Sequence, residues 1–340
     1  MSAPVRWGFL STARVNRRIL AAAEKSSTAR VVAVASRDAG RAEAYAVEHG
    51  IPRSHGSYEA LLEDSAVDAV YVSLPNSLHV EWTLRALEAG KHVLCEKPFS
   101  SDPREIEQVF DCAEERGLVV SEGFMWRHHP QTAKLVEAAG EDVIGRLRLI
   151  RAAFSFDLAS VHGVGDARLD PALDGGSLMD VGAYCVNAIR LLAGEPERVQ
   201  ALQVLGPTGV DVCFAATLAL PGEVIAHFDA GFVMPRRAAL EVVGEEGAVF
   251  VAEPWQPREP AVELRRPAGH EAVEREVIPV DPADSYLLEL ENVSGAILGE
   301  TALLLGRSDA VGQARALDAL QRSARIGAMV ELEPASWGVR

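Results

Sequence analysis

In "HVLCEKPFS", residues 92–100, a lysine and a proline directly follow an apolar, β-type run. Proline ends the strand and fixes Lys97 at its mouth, where an ammonium can hydrogen-bond a substrate hydroxyl and lower a neighbour's pKa. A plain surface lysine in a turn is the alternative. In "DGGSLMDVGAYCVNAIRLL" (174–192), Asp180 and Tyr184 are spaced i, i+4 and share a helix face, with Asn187 one turn further on. A tyrosine of pKa about 10 is a poor base unless a cation depresses it, and Lys97 could supply that charge from another domain. The competing reading is a tyrosine packed in the core with its hydroxyl satisfied. Lys97, Tyr184 and Asp180 are the catalytic candidates.

A second group of residues points to a nucleotide. "GFLSTARVNRR" (8–18) follows a short apolar run, Val5 to Leu10, and a dinucleotide fingerprint would put glycine at Ser11, Ala13 and Asn16. None is glycine, although a Cβ there holds the backbone away from the phosphates. Ala13 is the next smallest choice, Ser11 adds a hydroxyl to its amide, and a helix from about Arg14 would direct free N–H groups at an anion. An ordinary strand-to-helix turn fits the same residues. After the second strand, Ser36 and Arg37 stand where NAD enzymes place an acid against the ribose 2′-hydroxyl, and they suit a 2′-phosphate. Asp38 then reads as a helix N-cap. The expected cofactor is NADP(H) over NAD(H).

The cofactor-binding candidates are therefore Ser11, Thr12, Ala13 and Arg14 in the first turn, with Ser36, Arg37 and Arg41 after the second strand. Leu74, Pro75, Asn76 and His79 of "SLPNSLH" join them, as do Glu96 and Lys97 of "CEKP". In "EGFMWRHHP" (122–130), Trp126 and Arg127 are expected beside the nicotinamide. Arg168 and Asp170, in the polar loop "DARLDPALDGGS", could reach a sugar's hydroxyls, though a solvated loop reads equally well. The substrate set is Lys97, Trp126, Arg168, Asp180 and Tyr184. The adjacent histidines 128 and 129 lack a ligand cluster around them, so no metal is expected.

Alternating strands and helices must position these groups over the first 125 residues. "RVVAVAS" (30–36), "DAVYVSL" (68–74), "KHVLCE" (91–96) and "LVVSEG" (118–123) are strands. Helical stretches lie at 39–48, at 77–90 ended by Gly90, and at 102–117, where Asp102 caps, Pro103 opens and Gly117 stops the helix. Such a rhythm means a parallel sheet covered on both faces, with ligands beyond the carboxyl ends of the strands. Past residue 145 the strands 147–157, 198–206, 210–220, 223–233 and 237–244 follow one another through short turns, interrupted by one strong helix around 177–193. That is an α+β domain with a largely antiparallel sheet. Residues 254–282 hold six of the eighteen prolines and read as hairpins and surface loops. Helices at 285–298 and 308–325 follow, the last able to pack back on the first domain. The domains expected are 1–125 for dinucleotide binding, 126–307 for substrate and oligomerisation, and 308–340 as a C-terminal helix.

Length and composition agree: 340 residues accommodate two cores, and 48% hydrophobic with 24% charged content is that of a soluble globular protein. No apolar run nears the roughly 20 residues that cross a bilayer, and the N-terminus lacks a long apolar leader. Cys95, Cys112, Cys185 and Cys213 form no CxxC pair and read as reduced cytoplasmic thiols. A net charge of −16 argues against nucleic acid or an anionic membrane. Yet residues 1–41 carry seven arginines and one lysine against two acids, which suits a small anionic ligand at that end.

Together "GFLSTAR", "VASRD", "LPNSLH", "CEKP", "RLIRAAFSF" and "GGSLMDVGAYCVN" resemble the Gfo/Idh/MocA oxidoreductase family, over about residues 4 to 325. Within it the chain looks most like the branch of dimeric dihydrodiol dehydrogenases and NADP-dependent xylose dehydrogenases. The resemblance implies a doubly wound Rossmann domain, a C-terminal α+β domain with a large open sheet, and a homodimer or homotetramer paired through that sheet. It implies that Lys97 and Tyr184 work on a sugar or cyclic polyol while Asp180 supports them. Many relatives have His in place of Tyr184, Asp in place of Asn187 and glycine in place of Ser11. A nucleotide-sugar ketoreductase, an aryl dihydrodiol dehydrogenase and a non-catalytic cofactor sensor are the rival readings; the sensor needs no acid–base pair.

Overall fold

The computed structural model describes residues 3–268 and 272–333. The chain divides into two compact units: residues up to 125 together with 284–311, and 126–283 together with residues from 312 onward.

In the first unit six strands run parallel: β1 (Val5–Leu10), β2 (Ala29–Ala35), β3 (Arg53–His55), β4 (Ala69–Val72), β5 (His92–Glu96) and β6 (Val120–Gly123). Their order is β3-β2-β1-β4-β5-β6, so the winding reverses between β1 and β4, the place where doubly wound sheets bind ligands. Helices α1 (Asn16–Ala23), α2 (Ala39–His49), α3 (Tyr58–Leu62), α4 (His79–Glu88) and α5 (Pro103–Arg116) make the connections. The caps read from the sequence are present. Asp38 accepts the Arg41 amide at 2.7 Å, Asp102 accepts that of Arg104 at 2.9 Å, and Gly117 turns left-handed at φ 66°. Helix α1 begins at Asn16 and not near Arg14, because the amides of Asn16, Arg17 and Arg18 first close tighter bonds to the carbonyls of Ala13, Arg14 and Val15.

One boundary differs from expectation. Helix α10 (Ser285–Ile297) belongs to the first unit, not to a second domain reaching residue 307. Its Leu290 and Val293 are fully buried with Trp7, Phe9 and Ile19, and the Trp7 indole donates to the Ser294 hydroxyl at 3.1 Å. Burying two such aliphatic side chains contributes about 1.5–3 kcal/mol each, which outweighs sequence proximity to the other unit.

In the second unit a short helix pair, α6 (Pro130–Ala138) and α7 (Glu141–Ile144), precedes the sheet; the sequence reading had no helix there. Strands β7 (Leu147–Asp157), β8 (Arg198–Leu205), β9 (Asp211–Leu220), β10 (Val224–Gly231), β11 (Val233–Gly244), β12 (Ala248–Val251), β13 (Ala261–Pro267), β14 (Val273–Pro279) and β15 (Val330–Glu331) form the sheet. The order is β14-β13-β12-β11-β7-β10-β9-β8-β15, antiparallel except where β7 pairs with β10. One hairpin, β13–β14, lies within the proline-rich stretch. A short helix, α8 (Leu158–His162), follows β7, and α9 (Ala183–Ala193) lies against β7 and β10. The long helix α11 (Arg307–Ile326) starts in the first unit, where Arg307 bonds Glu107 at 2.8 Å and Asp111 at 2.6 Å on α5. Residues 334–340 of the expected C-terminal segment lie outside the described residues.

Candidate active site

At the β1–α1 turn Ser11 stands at φ 139°, in the half of backbone space that favours glycine. A non-glycine residue there costs roughly 1–3 kcal/mol unless its surroundings hold it. They do: the Ser11 hydroxyl reaches the Ser73 carbonyl at 3.0 Å and accepts the Ala13 amide at 3.0 Å, while the Asn16 side chain donates to the Ser11 carbonyl at 2.8 Å. The hydroxyl is therefore committed to the end of β4 and not offered to a phosphate, as the sequence had suggested. The backbone keeps that role, since the amides of Thr12 and Val15 have no acceptor among the described residues. An open turn of this kind fits a pyrophosphate.

After β2, Ser36 is buried and its hydroxyl accepts the Asp38 amide at 3.3 Å, while Arg37 and Arg41 are exposed. Arg37 lies beside the Tyr58 hydroxyl, and its guanidinium is of the kind that suits a phosphate. Leu74, Pro75 and Asn76 follow β4 in the same end of the sheet. His79, expected to touch cofactor, does not present a free ring. Its Nδ1 is 2.8 Å from the Pro98 carbonyl and its Nε2 2.8 Å from the Leu74 carbonyl, and it is fully buried. Burial pushes its pKa down to about 4, so the imidazole is neutral and its single N–H serves one of the two carbonyls. His79 is a strut between two loops.

Lys97 is half-buried at the end of β5, joined to Pro98 by a cis peptide. The Glu96 carboxylate accepts the hydroxyl of the fully buried Tyr71. Burial and then the Glu96 charge push that phenol well above its ordinary range, so it stays a donor. Glu96 is thus turned into the first unit's interior.

In the second unit the expected single helix is two pieces, a π-helical turn at Leu178–Gly182 and then α9. Such turns recur at functional sites. Asp180 belongs to the π-turn and Tyr184 to the start of α9. The turn is anchored by Asp211, which accepts the Ser177 hydroxyl at 2.6 Å and the Leu178 amide at 2.8 Å. Burial raises the Asp211 carboxyl, and these bonds offset that. Gly176 explains the glycine pair before it: at φ 122°, any Cβ would lie 2.2 Å from the Asp211 carboxylate. Arg168, expected to meet substrate, is engaged by carboxylates, 2.8 Å from Asp166 and 3.1 Å from Asp180. It orients Asp180.

Tyr184 is 6% exposed and collared by aromatic rings, with Phe154 at 5.5 Å and Trp255 at 5.8 Å between centroids. Trp126, expected to line a binding surface, is fully buried and meets Trp255 edge to face at 5.4 Å. An indole excluded from solvent is part of the packing, not a ligand platform. Arg127 donates to Asn187 at 3.3 Å. Phe154 belongs to the strand expected at 147–157, with nothing to mark it as a neighbour of Tyr184, and Trp255 sits in "EPWQPREP", which looks like a surface loop. Among the described residues no cluster of His, Cys, Asp or Glu can hold a metal ion.

The first unit thus presents an ammonium at a strand end and a turn suited to phosphates, and the second unit a packed phenol and an arginine-bound carboxylate. Residues 5–124 match the family model described as an oxidoreductase family with an NAD-binding Rossmann fold, and residues 132–250 match the GFO/IDH/MocA C-terminal domain. The chain is 38% identical over 334 residues to D-xylose 1-dehydrogenase (NADP(+)) 2 of Haloferax volcanii, covering 96% of this chain and 99% of that one. It is 33% identical to the trans-1,2-dihydrobenzene-1,2-diol dehydrogenase of Sus scrofa, over 75% of this chain and 76% of that one. Among solved structures, KijD10, a 3-ketoreductase from Actinomadura kijaniata in complex with NADP and TDP-benzene, superposes with a TM-score of 0.87 at 34% identity, covering 94% of this chain and 98% of that one.

Proposed function

The chain belongs to the Gfo/Idh/MocA oxidoreductase family, and from that premise we propose that it oxidises or forms a secondary or anomeric hydroxyl of a cyclic sugar or polyol, with Tyr184 as acid–base group and Lys97 as its partner. It is an NADP-dependent oxidoreductase acting on sugars. The observation that carries the finer reading is the built setting of the two groups: Lys97 held at the end of β5 in the dinucleotide-type sheet, Tyr184 collared at the start of α9.

Residues 11–15 would hold the pyrophosphate through backbone amides, and Arg37 the 2′-phosphate. When bound, NADP(H) supplies or accepts the hydride. The protein's part is the proton. Tyr184 takes the proton of the substrate hydroxyl during oxidation and returns it to the carbonyl oxygen during reduction. Lys97 donates a hydrogen bond to that oxygen and favours the tyrosinate by its charge. Asp180, oriented by Arg168, accepts a neighbouring hydroxyl of the ring and fixes which carbon reacts. The packed rings around Tyr184 keep the phenol in one orientation.

The reading extends to assembly and place. Exposed Leu202, Val204 and Ile225 on the nine-stranded sheet support pairing of subunits through it. No described helix is long and apolar enough to cross a membrane, and four free cysteines fit a reducing cytoplasm.

Tyr184→Phe tests the mechanism. Turnover should fall at least about 100-fold while NADP+ affinity is unchanged, since general acid–base catalysis contributes roughly 10²–10⁴-fold. Near-native turnover would remove the tyrosine from the mechanism. Free pyranoses, nucleotide-linked sugars and aryl dihydrodiols, each assayed with NADP+ or NADPH by absorbance at the reduced cofactor's band, separate the substrate classes. Activity confined to the nucleotide-linked arm would replace the free-sugar reading with a ketoreductase of the KijD10 kind.

A further inference from the structure

The segment that carries Lys97 is gripped through one peptide group. The carbonyl of Pro98 and the amide of Phe99 belong to the same peptide plane, the second after Lys97. On one side, the His79 ring sits 2.8 Å from the Pro98 carbonyl oxygen. On the other, the Phe99 amide donates to Glu122 Oε1 at 2.8 Å. The far nitrogen of His79 reaches the Leu74 carbonyl at 2.8 Å. A single chain of contacts therefore runs from Leu74 through His79 and the Pro98–Phe99 peptide to Glu122. It ties together the ends of β4, β5 and β6.

All the holding groups are withdrawn from water: His79 is 0% exposed, Glu122 2% and Phe99 1%. A buried carboxyl oxygen that accepts a backbone amide satisfies both groups, and removing it leaves the amide unbonded away from water. The next strand over packs without slack, since a Cβ on Gly123 would come within 3.1 Å of the Cys95 carbonyl. None of these groups is placed to meet a ligand, and the reaction gives them no proton to move. Yet each buried polar side chain costs free energy unless it is bonded, so their concentration on one peptide plane calls for a function.

We propose that His79 and Glu122 are positioning residues that set where Lys97 stands, by holding the Pro98–Phe99 peptide from both sides. The inference rests on the reading that Lys97 acts on the substrate oxygen. A lysine side chain has four rotatable bonds, and a fixed backbone gives them a fixed origin, which narrows where the ammonium falls. A displacement of about 1 Å in such a group can cost on the order of 100-fold in rate.

The test uses Glu122→Leu, His79→Leu, Glu122→Gln and Lys97→Met in the full chain. Hydrogen–deuterium exchange of the peptide containing residues 97–99 reads the grip without any substrate. It should be at least tenfold faster in both leucine variants and close to the parent in Glu122→Gln, whose amide oxygen still accepts. With the free pyranose turned over fastest by the parent, kcat should drop 10- to 100-fold in the leucine variants. NADP+ Kd, read by fluorescence quenching, should stay within twofold, and Glu122→Gln should recover most of the rate. Unchanged exchange at 97–99 in folded leucine variants overturns the proposal, as does a loss of NADP+ binding parallel to the loss of kcat. An inactive Lys97→Met beside parent-like leucine variants sinks the grip alone. A fully active Lys97→Met sinks the role of the lysine, whatever the exchange shows.

Discussion

The two units hold their chemical groups by different means. In the parallel-sheet unit the important loops are fixed by polar contacts to backbone: Ser11 with Ser73 and Ala13, the His79 ring between the carbonyls of Leu74 and Pro98, Glu122 with Phe99. In the nine-stranded unit Tyr184 is held by rings, and Asp180 by an arginine that is itself bound to Asp166. The difference follows from what each side must do. A turn that receives phosphates has to offer exact backbone N–H positions, which only backbone bonding secures. On the proposed mechanism the phenol moves a proton and needs a dry, rigid pocket, which packed aromatic surface supplies.

Removing the packing is the largest perturbation. Trp255→Ala takes away a ring that contacts Tyr184, Phe154 and Trp126, and should destabilise the protein by about 3–5 kcal/mol. Denaturant unfolding measures this; a loss under about 1 kcal/mol would mean that the collar is not what holds the tyrosine. NADP+ affinity of the remaining folded protein should stay put, because the first unit's turns are bonded within themselves.

Acid should come next. Burial holds His79 and His128 near pKa about 4 in the fold, against the ordinary 6.5. Below 6.5 the unfolded chain takes up protons that the folded chain refuses, so stability is complete above that pH and is lost as pH falls toward 4. The slope is at most about 1.4 kcal/mol per group per pH unit. A melting temperature flat from pH 7 to 4.5 would contradict both assignments.

Arg37→Ala sharpens the comparison on the first unit alone. The NADP+ preference should shrink by about tenfold, close to 1.4 kcal/mol, while kcat with saturating cofactor is nearly unaffected. An unchanged ratio of the two cofactors' KM values would move 2′-phosphate recognition elsewhere. Smallest of all is Ser11→Gly. It relieves the φ 139° backbone but surrenders the bonds to Ser73 and Ala13, so opposing terms of about 1 kcal/mol each should leave stability within about 1 kcal/mol of the parent. A loss of more than about 2 kcal/mol would show that the hydroxyl bonds dominate.

Much of this could be read from residue order. The N-caps at Asp38 and Asp102, the stop at Gly117 and the alternation of strands are local signals, each decided by a few adjacent residues. The placement of Lys97 directly after a strand was legible for the same reason, because its proline neighbour ends the strand; the spacing of Asp180 and Tyr184 predicted one continuous helix, and a π-turn followed by α9 stands there instead. Other features were not legible. His79 resembled a ligand because its motif lies at a strand end, and nothing in "LPNSLH" says that both ring nitrogens meet carbonyls from other segments. Arg168 resembled a free donor until Asp166 and Asp180 closed on it. Helix α10 sat next in sequence to one unit and packed with the other.

The order of residues, taken alone, determined that this chain would build a parallel dinucleotide-type sheet and then a mostly antiparallel one, and it supplied the ammonium and the phenol on which the proposed mechanism rests. Periodicity, caps and breakers are local signals, each contained in a short window of sequence. Tertiary structure alone decided which polar side chains face a ligand and which serve as struts. That choice depends on partners 19, 23 and 12 residues away for His79, Phe99 and Arg168, brought together only when the surrounding apolar surface is buried.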